Sequence, residues 1–81
     1  MLGFNINIFH KNLDILRNIA GLKNSEFSSL LGVKNAFRKD YNSIGPKMLF
    51  GIQQHFEGAD EIWLLKEHGA EKINVKLKNR H

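Results

Sequence analysis

The sequence predicts a mostly α-helical domain of five short helices bracketed by two short β-strands. Three patterns predict it. Apolar residues recur at helical spacing between Leu13 and Leu65. Glycines stand where those stripes stop, at Gly21, Gly32, Gly58 and Gly69. At both ends the period shortens to two: Phe4, Ile6 and Ile8 alternate with Gly3, Asn5 and Asn7, and Ile73, Val75 and Leu77 alternate with Asn74, Lys76 and Lys78.

Taken in order, the first alternation reads as a strand over about 3–9. A helix over about 11–20 follows, with Leu13, Leu16 and Ala20 on one stripe, Ile15, Ile19 and Leu22 beside it, and Gly21 at its end. Asn24 reads as the cap of a second helix, about 24–31, whose face is Phe27, Leu30 and Leu31. After Gly32 and Val33, Asn35 can cap a third helix over about 35–41, anchored by Phe37 and Tyr41. Pro46 suits the first turn of a fourth, about 46–56, with Leu49, Ile52 and Phe56 inward and Met48 alongside. A fifth, about 60–67, carries the dense apolar run Ile62 to Leu65. The closing strand covers about 72–78. Neither strand is stable alone, so the economical arrangement pairs them in a small antiparallel sheet, within one subunit or across a dimer.

With 81 residues, 42% hydrophobic and 25% charged, the chain makes one domain, 1–81, with a modest core. It has no cysteine, which excludes a disulfide framework and a cysteine zinc site. No apolar run approaches the roughly 18 residues that span a bilayer. Met1 to Phe9 lacks the basic start of a signal peptide, so the expected location is the cytoplasm. The net charge is +4. Lys34, Arg38, Lys39 and Lys47 face only Asp40 in their stretch, whereas Glu57, Asp60, Glu61 and Glu67 make the following stretch acidic. A localised basic excess suits a polyanionic partner, although solvated helix faces carry such runs more often.

The segment Leu22-Lys23-Asn24-Ser25-Glu26-Phe27-Ser28-Ser29-Leu30-Leu31-Gly32-Val33 resembles the helix-turn-helix of phage-repressor-like proteins, the family of the lambda and 434 repressors and Cro. The positions that carry the likeness are Asn24, Ser28, Gly32 and Val33: a polar opening residue, a small residue at the helix crossing, a glycine for positive φ, and an aliphatic plug. Trp63-Leu64-Leu65 with Lys66-Glu67-His68-Gly69 also looks like the last helix of several such repressors. The likeness covers about residues 11–69. It departs at Arg38, where the family has an aliphatic residue and where Phe37 is apolar instead.

The resemblance implies a sequence-specific regulator that binds double-stranded DNA as a homodimer on a pseudo-palindromic operator. It implies Lys34, Asn35, Ala36, Arg38 and Lys39 as base-reading candidates: Arg38 toward guanine, Asn35 toward adenine, Ala36 toward a thymine methyl. It implies Lys23, Asn24, Asn42 and Lys47 at the backbone, with Lys78 and Arg80 adding non-specific affinity. The alternative is a protein-interaction module, antitoxin-like or adaptor, on the same scaffold, contacting its partner through the third helix or Trp63.

No enzyme is expected. His10, His55, His68 and His81 are scattered without ligand spacing, so no metal site is expected. Asp60 and Glu61 read as first-turn acids rather than a catalytic pair. No phosphate-binding glycine loop, cofactor or small-molecule ligand is indicated.

Overall fold

The computed structural model describes residues 3–69 and 74–78. Along the chain run α1 (Ile6–Ala20), α2 (Asn24–Leu30), α3 (Pro46–His55), β1 (Phe56–Glu57), α4 (Glu61–Leu65) and β2 (Lys76–Leu77). The strands pair antiparallel, Phe56 opposite Leu77 and Glu57 opposite Lys76. The expected mostly helical class with a small antiparallel sheet is therefore present. Several individual elements differ from expectation.

The strand expected over 3–9 is corrected to helix. Asn5 holds an extended backbone, and its Oδ1 accepts from the N–H of Asn7 at 2.9 Å and of Ile8 at 3.2 Å. That caps a helix starting about five residues before the expected start of the first one. The alternation of Phe4, Ile6 and Ile8 competes with a stripe at i, i+3, i+4 and i+7: Phe9, Asn12, Leu13 and Leu16, all buried. A continuous buried face outweighs a short strand with no partner. Gly21, at φ 69°, ends α1 as expected, donating to the Asn18 carbonyl at 3.1 Å.

The core gathers Phe9, Leu13 and Leu16 of α1 with Phe27 of α2, Met48 and Ile52 of α3, Phe56 of β1 and Leu64 of α4; Leu31, Ala36, Ala59 and Val75 complete it. The inward residues of α3 are Met48 and Ile52, with Leu49 half-buried, a shift from the expected Leu49–Ile52 stripe. Two polar side chains, Asn12 and Ser28, are buried among the described residues. Asn12 is 1% exposed, and its side-chain amide donates to the carbonyls of Leu64 at 2.7 Å, Lys66 at 2.9 Å and Trp63 at 3.2 Å. These acceptors lie at the C-terminal end of α4, where the Trp63 carbonyl also accepts from the Lys66 N–H at 3.3 Å, so Asn12 serves as that helix's cap from across the core.

α3 stops at His55 because Phe56 turns extended to meet Leu77. The Lys78 backbone then donates to His55 at 2.8 Å and its Nζ to the Gln53 carbonyl at 2.7 Å. The closing strand thus pairs with β1 and not with the N-terminal segment, which is helical. Of its expected span, residues 72 and 73 lie outside the described residues. α4 is shorter than the expected 60–67: Asp60 stands at its cap and accepts from the Trp63 N–H at 2.8 Å. Of its apolar run only Leu64 is buried, while Trp63 is half-buried and stacked on His68 at 4.5 Å, and Ile62 is 65% exposed. No helix among the described residues is long and apolar enough to cross a membrane.

Candidate functional site

The basic middle of the chain begins at α2. This helix starts at Asn24 with Lys23 in the cap position, so the expected capping role of Asn24 is corrected. Glu26 performs the closure instead, its Oε1 accepting from the Lys23 N–H at 2.8 Å. The helix ends at Leu30, and Gly32 takes φ 77°, the left-handed conformation the turn needs. Val33 then donates back to the Ser28 carbonyl at 3.0 Å and packs on the core.

The helix expected over 35–41 is corrected to a series of turns. Each turn has a specific competitor for the backbone. Buried Ser28 accepts from the Ala36 N–H through its Oγ at 2.9 Å. The Asn35 Oδ1 accepts from the Phe37 N–H at 2.9 Å, closing an Asx turn. The Tyr41 hydroxyl donates to the Asn35 carbonyl at 2.8 Å, and His10 Nε2 of α1 bonds the Arg38 carbonyl at 3.0 Å. A seven-residue helix carries the full cost of nucleation, and these bonds give its groups other partners. Phe37 and Tyr41 still pack on the core, as a helix would have had them do.

This geometry re-sorts the candidate residues. Ala36 is 0% exposed, so its proposed contact with a thymine methyl is withdrawn. Asn35 is exposed, but its Oδ1 is already engaged. Lys23, Lys34, Arg38 and Lys39 are exposed. Arg38, Asn42 and Lys47 come together with Asp40, Tyr41 and Ser43 around a shallow concavity of about 340 Å³. The same concavity reaches Gly45 and Met48, at the N-terminus of α3. That terminus has no side-chain cap and no acid in its first turn. The Lys47 chain lies over the α2 turn: a Cβ on Gly32 would sit 3.5 Å from Lys47 Cε.

A second open concavity, of about 400 Å³, is lined by His10 and Lys11 of α1, Asn24 of α2, Phe37 and Lys39, with Asp14. Phe37 and Lys39 line this one, and Arg38 and Asp40 the first. The segment 37–40 therefore runs between two basic hollows. Lys11, His10, Ser43 and Tyr41 were not among the expected site residues; they come from parts of the chain that only the fold brings close. Lys78 is engaged at the end of α3, and Arg80 lies outside the described residues.

Within the site, Arg38 donates from Nε to Asp40 Oδ1 at 3.0 Å and from Nη2 to Asp40 Oδ2 at 2.5 Å. Its guanidinium carbon lies 5.8 Å from the Tyr41 ring centroid. These hydrogen bonds raise the Arg38 pKa above its ordinary value and hold the Asp40 carboxyl below the usual carboxylate range. Because Asp40 is depressed, the pair is complete at neutral pH and opens only as the pH falls through that lowered value. Asp14, in the second hollow, is held by Arg17 at 2.8 Å. Among the described residues no three His, Asp or Glu side chains are placed to hold a metal ion. Compared with protein-family models, curated proteins and solved structures, the chain matches none.

Proposed function

We propose that the chain is a transcriptional regulator that binds double-stranded DNA, a relative of the phage-repressor-like helix-turn-helix in which the segment after the Gly32–Val33 turn reads DNA as a loop. The observation that carries this reading is the placement of two basic hollows on either side of the exposed segment 37–40. Arg38 and Lys47 belong to one, Lys39 and Lys11 to the other. Both carboxylates in these hollows are already paired with arginines, Asp40 with Arg38 and Asp14 with Arg17. A phosphate in the first hollow meets Lys47 and the N–H groups of Lys47 and Met48 at the start of α3, which no side chain caps. A phosphate in the second meets Lys11 and Lys39. The segment between them then faces the groove, with Arg38 the base-reading side chain and Lys34 beside it. So small a surface supplies limited affinity, and two copies on a pseudo-palindromic site double it.

A protein-interaction module on the same scaffold is the second reading. It draws on Phe50, 64% exposed on α3, and on Ile62 of α4. One substitution separates the two. Gly45→Asp supplies the cap that α3 lacks and should raise stability by roughly 0.3 kcal/mol. It also sets a carboxylate where the first phosphate would lie, and should weaken binding to a random 30-base-pair duplex about tenfold at low salt. A gain in melting temperature with a loss of duplex affinity supports the DNA reading. Unchanged duplex affinity in the stabilised variant refutes the placement of phosphate at α3.

A further inference from the structure

The pairing of Arg38 with Asp40 leaves one edge of the guanidinium unused, and that edge has the geometry of a base reader. A guanidinium offers two hydrogen-bonding edges. The side edge consists of Nε and Nη2; the end edge consists of Nη1 and the second N–H of Nη2. Asp40 occupies the side edge with both oxygens, Oδ1 on Nε and Oδ2 on Nη2. Tyr41 lies under the guanidinium, 5.8 Å from ring centroid to carbon. Tyr41 is itself fixed, packed on the core and donating its hydroxyl to the Asn35 carbonyl. The backbone of Arg38 is fixed as well, through its carbonyl to His10 of α1. An arginine on an exposed turn, 55% accessible, is thus held at its backbone, its side edge and its face.

We propose that Asp40 and Tyr41 are positioning residues that aim the end edge of Arg38 at the O6 and N7 of one guanine. The proposal rests on the DNA reading above and adds its chemical specificity. Arg presents a planar fork to guanine, and losing rotamer freedom before binding lowers the cost of forming both bonds at once. Asp40 does two things with opposite signs. Its charge repels every phosphate, which weakens binding to any duplex. Its hydrogen bonds orient Arg38, which strengthens binding only where a guanine is present. A residue that merely stabilised the fold would move both affinities the same way.

The test uses the full chain, a duplex selected from a random pool, its single guanine-to-adenine variants, and a random 30-base-pair duplex. The wild type should lose about tenfold or more in affinity at one guanine position. Asp40→Asn should bind the random duplex severalfold more tightly while losing most of that guanine preference, with circular dichroism unchanged. Arg38→Lys keeps the charge without the fork, so the ratio of its affinity for the selected duplex to that for the guanine-to-adenine variant should fall to near one. Retention of the guanine preference in Asp40→Asn overturns the positioning role, as does its retention in Arg38→Lys. Random-duplex binding without any guanine preference in the wild type overturns the proposal and leaves DNA binding standing. Absence of duplex binding at low salt overturns both.

Discussion

Asn12→Leu is expected to lower stability by about 3 kcal/mol, a large part of the roughly 4–12 kcal/mol that a domain of this length has. The size follows from what is left behind. Three carbonyls, of Trp63, Leu64 and Lys66, point at the Asn12 amide from the end of α4. Leucine has the same branched outline, is bulkier and donates nothing, so the Leu64 and Lys66 carbonyls lose the Asn12 donor at about 1–3 kcal/mol each, while the Trp63 carbonyl keeps the Lys66 N–H and His68. Three acceptors on one side also fix which end of the amide is nitrogen, since an oxygen there would face only lone pairs. Urea unfolding followed by circular dichroism checks the expectation: the midpoint should fall while the slope stays near that of the wild type. A midpoint within error of the wild type would show that the amide carries no net stabilisation.

Gly51→Ala should be destabilising by about 2 kcal/mol, against the roughly 1 kcal/mol gain that alanine brings to a helix interior. A Cβ at this position would lie 2.9 Å from the Leu31 carbonyl oxygen and 3.1 Å from its Cα. Both are backbone atoms, so neither can swing aside as a flexible side chain would. α3 must move away from the end of α2, opening the contact beneath Met48 and Ile52. The same displacement lifts Lys47 from the Gly32 turn, so duplex affinity should fall with stability. Gly3 is the matched control, because a Cβ there meets nothing within 4 Å. A thermal melt of both alanine variants decides it; a rise in melting temperature for Gly51→Ala would mean that the helices separate freely.

Local chemistry was the readable part of this sequence. Gly21 and Gly32 take positive φ, and Pro46 opens α3. Leu13, Leu16, Phe27 and Ile52 are core residues, as helical spacing implies. What escaped were positions where two local signals compete. Phe4, Ile6 and Ile8 alternate like a strand, while the Asn5 cap and the Phe9–Leu16 stripe are helical; the burial of Phe9 decides for helix. Asn35 has the chemistry of a helix cap and makes that kind of bond, to Phe37. No helix follows, because Ser28, Tyr41 and His10 engage the next backbone groups from distant positions. The partner of β2 was illegible for a similar reason: β1 is two residues long, too short to leave a period in sequence.

The candidate site was legible as charge and not as shape. Arg38, Lys39 and Lys47 stand out in the sequence, but only the turns put Lys39 with Lys11 and Arg38 with Lys47. Ala36 reads like an outward residue of a helix and is buried because the chain turns inward there to bond Ser28. The departure at Arg38 from the family's aliphatic position is consistent with this outcome. A residue that must face inward in a helix can stay exposed in a loop, with Phe37 packing in its place.

The central claim is that this basic surface engages duplex DNA, and its most direct test is the affinity for a random 30-base-pair duplex as salt is varied. Four cations line the two hollows: Lys11, Arg38, Lys39 and Lys47. Each phosphate neutralised contributes about −0.9 to the slope of log affinity against log salt, so one phosphate in each hollow predicts a straight line of slope about −2 per bound subunit. A slope near zero, or no binding at the lowest salt, would contradict the account.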